Sequence, residues 1–420
     1  VFGVQSDPLE KKLALIMVGL PARGKSFTAR KLARYLTWLG YDTRVFNLGQ
    51  YRRERFPGHQ PHQFFDPDNS ESLHMREQLA EDALGDLLDW LVLDGDVGIY
   101  DATNTTRKRR AFITQRCEAA GVHALFVESV CDDHTIIEDN IRATKVDSPD
   151  YAGQDPDTAV EDFRQRILHY ARSYEPVADN EGSFIRLIDV GRLVVMHDIE
   201  GYLTSRVVSF LMNLHHSNPP IWLTRHGESI SNVQGNIGGD SDLAPRGHRY
   251  ARSLAGYLLR SVPEFEEMRV WTSSLRRTIE TVSVIELPSS QWRALDEIDA
   301  GMCDGMSYRE IKAAMPDEYF ARGKDKFRYR YPRGESYQDV IQRLAPVIIE
   351  MERSRRPLLI VAHQAVVRLL YAYIMGIPPE KAPYLKVPLH TLIQLTPHAY
   401  GCNEARTPLA PTVPKDQPSS

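Results

Sequence analysis

The feature that most constrains the fold is an apolar run, Leu13-Ala14-Leu15-Ile16-Met17-Val18, that ends in Gly19-Leu20-Pro21-Ala22-Arg23-Gly24-Lys25-Ser26. A continuous run of this kind predicts a strand covered on both faces, as in a parallel sheet. Behind the glycines, Ala29, Leu32, Ala33 and Leu36 recur at helical spacing. Strand, G-x-x-x-x-G-K-S loop and helix form the context in which backbone N–H groups curl around phosphate oxygens. Lys25 would then reach the β- and γ-phosphates of a nucleotide, and the Ser26 hydroxyl would ligate Mg²⁺. An accidental glycine-rich turn is the competing reading, and the flanking strand and helix count against it.

At 420 residues the chain exceeds what one core usually organises, so two domains are expected. Its formal net charge of −5 argues against a general nucleic-acid binder. Cys117, Cys131, Cys303 and Cys402 are scattered without a CxxC, which predicts neither a disulfide framework nor a zinc site and suits a reducing cytoplasm. No apolar run approaches a membrane span. The chain opens on Val1-Phe2-Gly3 without a Met, so a preceding segment is expected.

In the first half, Thr43-Arg44-Val45-Phe46-Asn47-Leu48 reads as the next strand, followed by Tyr51-Arg52-Arg53 and a loop over 56–69. A helix is expected over 70–93, with Leu84, Leu87, Leu88 and Leu91 on one face. Val97 to Tyr100 reads as a strand ending in Asp101-Ala102-Thr103-Asn104-Thr105-Thr106. A carboxylate there could orient Mg²⁺ or accept a proton, although Asp101, Asn104 and Thr105 are also ordinary helix caps. The adjoining Arg107-Lys108-Arg109-Arg110 reads as an anion clamp rather than a solvated face. A strand over 124–130 ends beside Cys131, whose position alone suggests only a small hydrophobe. Helices over 133–145 and 158–175, a hairpin around Gly191 and a helix over 201–215 lead to Ser217-Asn218-Pro219-Pro220, the expected domain boundary.

In the second half, Ile221-Trp222-Leu223-Thr224-Arg225-His226-Gly227 reads as a buried strand that delivers an imidazole to its C-terminal edge, where open α/β sheets bind ligands. Asn232 and a donor-rich loop over 235–240, which includes Gly238, follow. A strand over 270–273 enters Ser274-Leu275-Arg276-Arg277-Thr278, and Leu358 to Ala362 carries a second histidine, His363, to a strand end. Glu297 sits between apolar neighbours, where desolvation would raise its pKa. Helix 364–375 and a strand over 391–395 complete the pattern, and a disordered Pro/Ser-rich tail is expected over 406–420. Singly, His363 reads as a core histidine, Arg277 as a surface charge and Glu297 as a solvated acid. Jointly they make a phosphoryl-transfer set: a neutral imidazole as nucleophile, guanidinium groups and a second imidazole stabilising charge, and a carboxyl group protonating the leaving oxygen.

On the strings Arg225-His226-Gly227-Glu228-Ser229, Ser273-Ser274-Leu275-Arg276-Arg277-Thr278, Glu297 and His363, residues 220–400 resemble the histidine phosphatase superfamily. The whole chain resembles the 6-phosphofructo-2-kinase/fructose-2,6-bisphosphatase family. That resemblance is carried also by the loop Gly19 to Ser26, Tyr51-Arg52-Arg53, Asp101 to Thr106, Ile237-Gly238-Gly239-Asp240, Tyr329-Arg330-Tyr331-Pro332 and Gly334-Glu335-Ser336-Tyr337. It implies an α/β protein of two domains, each a mainly parallel sheet flanked by helices: a P-loop kinase domain over 1–217, then a histidine-phosphatase-like domain over 218–405. The kinase half is implied to use ATP with Mg²⁺, bound by Gly19, Leu20, Pro21, Ala22, Arg23, Gly24, Lys25, Ser26, Asn140 and Lys145, with Ser26 on the metal. Asp101 and Cys131 match active-site positions. Arg52, Arg76, Thr103, Arg109, Lys145, Arg166 and Tyr170 match positions for fructose 6-phosphate.

The phosphatase half is implied to work without a cofactor. His226 would form a phosphohistidine, Arg225, Asn232, Arg277 and His363 would hold the transferring group, and Glu297 would act as acid. Gly238, Tyr308, Arg322, Lys326, Tyr337, Gln364 and Arg368 match the pocket for fructose 2,6-bisphosphate. A cytoplasmic homodimer acting on small sugar phosphates, with no nucleic-acid or membrane partner, completes what the resemblance implies. Two departures stand out: Ala143 and Thr144 replace the family's Gln and Val before Lys145, and Asn236 replaces an arginine before Ile237. A kinase-phosphatase of another phosphorylated metabolite or of nucleic-acid ends is the alternative enzyme, and a nucleotide-gated scaffold the non-catalytic one.

Overall fold

The computed structural model describes residues 12–144, 150–151, 155–189, 191–215, 219–398 and 401–409. The chain divides into two compact units, residues 1–216 and 217–420.

The first unit is built on a six-stranded sheet in the order β2-β3-β1-β4-β5-β6. Its strands are β1 (Leu13–Val18), β2 (Thr43–Asn47), β3 (Val97–Asp101), β4 (His123–Val130), β5 (Phe184–Ile188) and β6 (Leu193–His197). The first five run parallel, and only β6 turns back, against β5. All six residues of β1 are buried, as expected for a strand with no polar position on either face. The helices are α1 (Lys25–Trp38), α2 (Leu48–Arg55), α3 (Ser70–Leu93), α4 (Arg107–Ala119), α5 (His134–Thr144), α6 (Pro156–Ala171) and α7 (Tyr202–Leu211). The α3 leucines expected on one face pack with Ile16, Val18, Tyr100 and Phe126 in the core. Because β1, β3 and β4 are parallel neighbours, the glycine loop, Asp101 and Cys131 all emerge at the same sheet edge.

Two helices stop earlier than the sequence pattern suggests. Helix α6 ends at Ala171 rather than near 175, and α7 at Leu211 rather than near 215. The hairpin at Gly191 forms as expected, with that glycine at φ 84°.

The second unit has strands β7 (Ile221–Arg225), β8 (Arg269–Thr272), β9 (Ser289–Gln291), β10 (Leu358–Ala362), β11 (Thr391–His398) and β12 (Gly401–Pro408), in the order β12-β11-β7-β10-β8-β9. Strands β7, β10, β8 and β9 are parallel, whereas β11 is antiparallel to β7 and β12 to β11. Its helices are α8 (Ile230–Gln234), α9 (Pro245–Ser261), α10 (Arg276–Val282), α11 (Tyr308–Ala314), α12 (Pro316–Lys324), α13 (Tyr337–Arg353) and α14 (Gln364–Met375). Tyr250, Leu254 and Leu258 of α9 pack on Trp222, Val270 and Leu359 of the sheet.

The expected start of a disordered tail at 406 is corrected here. Arg406 to Pro408 belong to β12, which pairs with the whole of β11 from Thr391↔Pro408 to His398↔Gly401. The strand is mostly exposed, so it carries no apolar alternation, and its backbone hydrogen bonds alone define it. Residues 410–420 of the expected tail lie outside the described residues.

Candidate active sites

In the first unit the glycine loop has the backbone a phosphate cradle needs. Gly19 sits at φ 131°, and a Cβ there would fall 2.4 Å from the Ser129 carbonyl oxygen. Its N–H donates to the Thr103 carbonyl at 2.9 Å, tying the loop to the strand end that carries Asp101. Gly24 at φ 82° caps α1, and Ala22 is held at φ 60°, a conformation side chains resist. Lys25 Nζ folds over the loop onto the Leu20 carbonyl at 2.6 Å, and Arg23 Nη1 donates to the Pro21 carbonyl at 3.2 Å. Asn140 Nδ2 donates to the Ala22 carbonyl at 3.1 Å, so this expected nucleotide residue meets the loop, whereas Lys145 lies outside the described residues. Ser26, in the first turn of α1, is half-buried.

Asp101 is buried and accepts a hydrogen bond from Asn47 Nδ2 at 2.5 Å, a partner aligned with it by the register of β2 and β3. The helix-cap alternative for Asp101 does not hold, since Thr106 caps α4. Cys131 is buried against Ala22, Ile137 and Ile141, and burial pushes its thiol above the ordinary cysteine value. It therefore braces the loop as a small hydrophobe and is not a ready thiolate.

The four residues expected as an anion clamp at 107–110 do not act as a group: Arg109 donates to Asn104 Oδ1 at 2.9 Å and to the Tyr100 hydroxyl at 3.2 Å. Arg107 and Lys108 are exposed, and Arg110 is fully buried in a two-pronged pair with Glu181 at 2.7 and 2.8 Å. Instead, cations gather from distant segments. Arg166 lies over the Phe65 ring at 3.7 Å and Arg52 at 5.4 Å, with Asp150 bridging them at 3.8 and 2.5 Å. Arg76 is oriented by the Asp66 carbonyl at 3.1 Å, in the same loop as Phe65. Burial pushes the Tyr170 phenol up, but Arg166, Arg76, Arg52 and Arg109 together bring it below its ordinary value. Arg52 Nε and Arg166 Nε are buried without a hydrogen-bond partner. Donors left in that state beside one another are a socket for anionic oxygens. Thr103 is half-buried at the neighbouring strand end. Phe65 and Asp150 escaped the sequence reading, because nothing local marks a loop phenylalanine as the platform for two arginines.

In the second unit, strand register brings the two histidines together. Ala362 is aligned with Arg225, so His226 and His363 follow at the same level, and the His226 N–H donates to the Ala362 carbonyl at 3.0 Å. Their rings stand 5.1 Å apart. His226 Nδ1 lies 2.7 Å from the Gly227 carbonyl, which can only accept, so the ring proton sits on Nδ1 and Nε2 presents a lone pair. Arg277 Nε donates to that Nε2 at 3.2 Å, while its Nη1 donates to the Gly239 carbonyl at 2.6 Å. Arg225 is anchored on the Val387 carbonyl at 3.3 Å and keeps a buried Nε without a partner. Burial holds its guanidinium down to about 10, still charged at neutral pH.

Glu297 meets backbone donors from a distant segment of the chain. The carboxylate is half-buried, accepting N–H bonds from Gln364 at 3.1 Å, Ala365 at 3.2 Å and Ile298 at 3.0 Å. Two of these donors stand in the first turn of α14. Asn232 accepts the Ser229 N–H in the capping box of α8. Gly238 has φ 71°, and a Cβ there would overlap Asp304 Oδ1 at 1.6 Å. Farther out, Arg368 reaches the Tyr337 hydroxyl at 3.3 Å, Arg322 lies over Tyr308 at 4.8 Å and Lys326 over Tyr384 at 5.3 Å. Arg343, unmarked in the sequence, donates to the Glu297 carbonyl at 3.1 Å and to Glu335 Oε1 at 2.8 Å, steadying the segment that bears the acid.

Burial pushes the imidazoles of His226 and His363 well below the ordinary 6.5, and Arg277 lowers both further. Below 6.5 an unfolded chain binds protons at these two sites that the folded one refuses. Their contribution to stability is therefore complete above that value and declines as pH falls toward the folded pKa values. In calorimetry the second unit's unfolding midpoint is expected to hold above pH 6.5 and fall below it. A midpoint that rose on acidification would contradict this electrostatic account.

Residues 4–218 match the family model for 6-phosphofructo-2-kinase, and residues 221–407 that for the histidine phosphatase superfamily, branch 1. The chain is 48% identical to 6-phosphofructo-2-kinase/fructose-2,6-bisphosphatase of Gallus gallus, over 92% of this chain and 83% of that one. It is 48% identical to the Arabidopsis thaliana protein of the same name, over 94% of this chain but 54% of that longer one. With the Homo sapiens protein named 6-phosphofructo-2-kinase/fructose-2,6-bisphosphatase 3 it shares 46% identity over 92% of this chain and 75% of the other.

Proposed function

The chain belongs to the 6-phosphofructo-2-kinase/fructose-2,6-bisphosphatase family, and we propose on that basis that it both makes and hydrolyses fructose 2,6-bisphosphate, a control point between glycolysis and gluconeogenesis. We assign synthesis to residues 1–217 and hydrolysis to 218–405. The two compact units and their separate constellations support that division. The observation that carries the reading is His226, with its proton held on Nδ1 and its Nε2 lone pair beside Arg277.

In the kinase half, the loop from Gly19 to Ser26 holds the phosphates of ATP, with Lys25 and Asn140 at the nucleotide. Arg52, Arg76, Arg109, Arg166 and Tyr170 hold the 6-phosphate of the sugar, and Thr103 flanks it. The sugar's 2-hydroxyl oxygen attacks the γ-phosphorus, the bond to the β,γ-bridging oxygen breaks, and the hydroxyl proton passes to Asp101. Mg²⁺ would supply charge neutralisation on the phosphates, and its fit rests on the Ser26 hydroxyl, a hard oxygen at the loop's exit. Among the described residues no group of three or more His, Cys, Asp or Glu side chains could hold a metal, so the ion would depend largely on nucleotide oxygens.

In the phosphatase half, His226 Nε2 attacks the 2-phosphorus while the bond to the sugar oxygen breaks and Glu297 protonates that oxygen. Arg225, Arg277 and His363 stabilise the charge on the transferring group, which leaves no task for a cofactor. Glu297 enters this step carrying the proton, with its carboxyl oxygens held in place by the Gln364 and Ala365 N–H groups. Water then attacks the phosphohistidine, Glu297 accepts the water's proton, and phosphate departs from a neutral His226. Asn232, Gly238, Tyr308, Arg322, Lys326, Tyr337, Gln364 and Arg368 complete the binding site for the bisphosphate.

The reading extends to a cytoplasmic homodimer working on small sugar phosphates without nucleic-acid or membrane partners. No helix among the described residues is long and apolar enough to cross a membrane, and the charge of −5 disfavours general nucleic-acid binding. Incubation with γ-³²P-labelled ATP is expected to label fructose 6-phosphate at C2. Labelling of polynucleotide ends but not of the sugar would overturn the assignment in favour of another kinase-phosphatase.

A further inference from the structure

Ser273 has no part in the roles assigned above. It follows β8, fully buried, and three groups converge on its hydroxyl. The Leu275 N–H donates to it at 3.2 Å, Thr278 Oγ1 lies at 2.8 Å and His363 Nε2 at 2.7 Å. The other ring nitrogen of His363, Nδ1, is buried and has no hydrogen-bond partner in the protein. Buried polar atoms in that state are rare and point to an absent partner. The ring stands 5.1 Å from that of His226 and lies in the field of Arg277 and Arg225, so an anion is the partner this nitrogen awaits.

Building on the bisphosphatase reading, we propose that Ser273 is a positioning residue: with Thr278 behind it, it sets the tautomer of His363 so that Nδ1–H is the donor offered to the transferring phosphoryl group. A hydroxyl has one proton and two lone pairs. The Leu275 N–H occupies one lone pair of Ser273, and the Thr278 hydroxyl proton can occupy the second. The Ser273 proton is then left to His363 Nε2, which must be a bare acceptor, and the single proton of the neutral ring resides on Nδ1. The reverse wiring puts the ring proton on Nε2 and turns a lone pair at Nδ1 toward phosphoryl oxygens, which is repulsive. Thr278 Oγ1 also reaches the carbonyls of Leu275 at 2.8 Å and Ser273 at 3.2 Å, so the reverse wiring stays open until an anion arrives and selects against it.

The direct test is nitrogen-15 spectroscopy of the full chain labelled at histidine, with inorganic phosphate as the probe and His363→Gln for assignment. With phosphate bound, His363 is expected to show a protonated Nδ1 and a bare Nε2. The opposite tautomer overturns the proposal in the wild-type protein, with no variant needed. Ser273→Ala is expected to lower kcat for 2-phosphate hydrolysis about tenfold or more, with KM changed less than about twofold. That loss should vanish in a His363→Ala background, because it runs through the imidazole. Equal losses in both backgrounds would mark Ser273 as merely structural and overturn the proposal, while a retained cooperative unfolding transition of the second unit in calorimetry reports that this unit is folded. If the wild type fails to hydrolyse fructose 2,6-bisphosphate, the underlying reading fails instead; if it does so and Ser273→Ala matches it, only this inference fails.

Discussion

Replacing His226 with alanine is expected to cut release of the 2-phosphate from fructose 2,6-bisphosphate by about 10⁴-fold, the scale on which a nucleophile is lost. The magnitude follows from the position of the imidazole. His226 is buried at 3% exposure, its Nδ1 proton is committed to the Gly227 carbonyl and its Nε2 is the nitrogen beside Arg277. His363 cannot substitute, because its Nε2 is committed to Ser273. Turnover of substrate labelled at the 2-phosphate should leave acid-labile, base-stable label on the wild-type chain and none on the variant. Synthesis of the bisphosphate should persist, since Lys25, Asp101 and the arginine socket lie in the other unit. Unchanged hydrolysis in the variant would refute the phosphohistidine route.

Lys25→Met is expected to produce the complementary loss, lowering the kinase rate by about 10²- to 10³-fold while hydrolysis continues. Methionine nearly preserves the length of the side chain and removes only the charge. Lys25 is 7% exposed and lies across the loop on the Leu20 carbonyl, so the substitution removes a cation from where phosphate oxygens would collect. Assaying both activities on one preparation checks the prediction, and a variant that retained its kinase rate would remove the glycine loop from the mechanism.

The elements legible in the sequence are those whose signal is local. The apolar run of β1, the glycine loop and the α1 periodicity occupy one short stretch, and the structure reproduces them. The strand that ends on Arg225-His226 and the one that ends before His363 are equally plain, since a run of buried residues needs no distant partner to be recognised. What escaped the sequence has no signal in its own local side-chain pattern. Arg109 and Arg110 are adjacent, yet helical phase sends Arg109 to Asn104 and Tyr100 while Arg110 is buried on Glu181, 71 positions on. Beta-strand β12 is defined by its backbone ladder to β11 and not by any side-chain pattern.

Glu297 shows the same limit in the chemistry. Leu295 and Ile298 beside it suggest an apolar pocket, whereas the donors that reach its carboxylate include N–H groups 67 and 68 residues along the chain. The sequence by itself determined the two phosphate chemistries, the order of the two units and His226 as the candidate nucleophile, because each rests on a short string with its own periodic context. Only the tertiary structure decided which arginines gather together, which nitrogen of His226 carries the proton and what surrounds the acid. Those depend on which side chains strand register and helix phase bring within hydrogen-bonding distance, and no local stretch of chain encodes that.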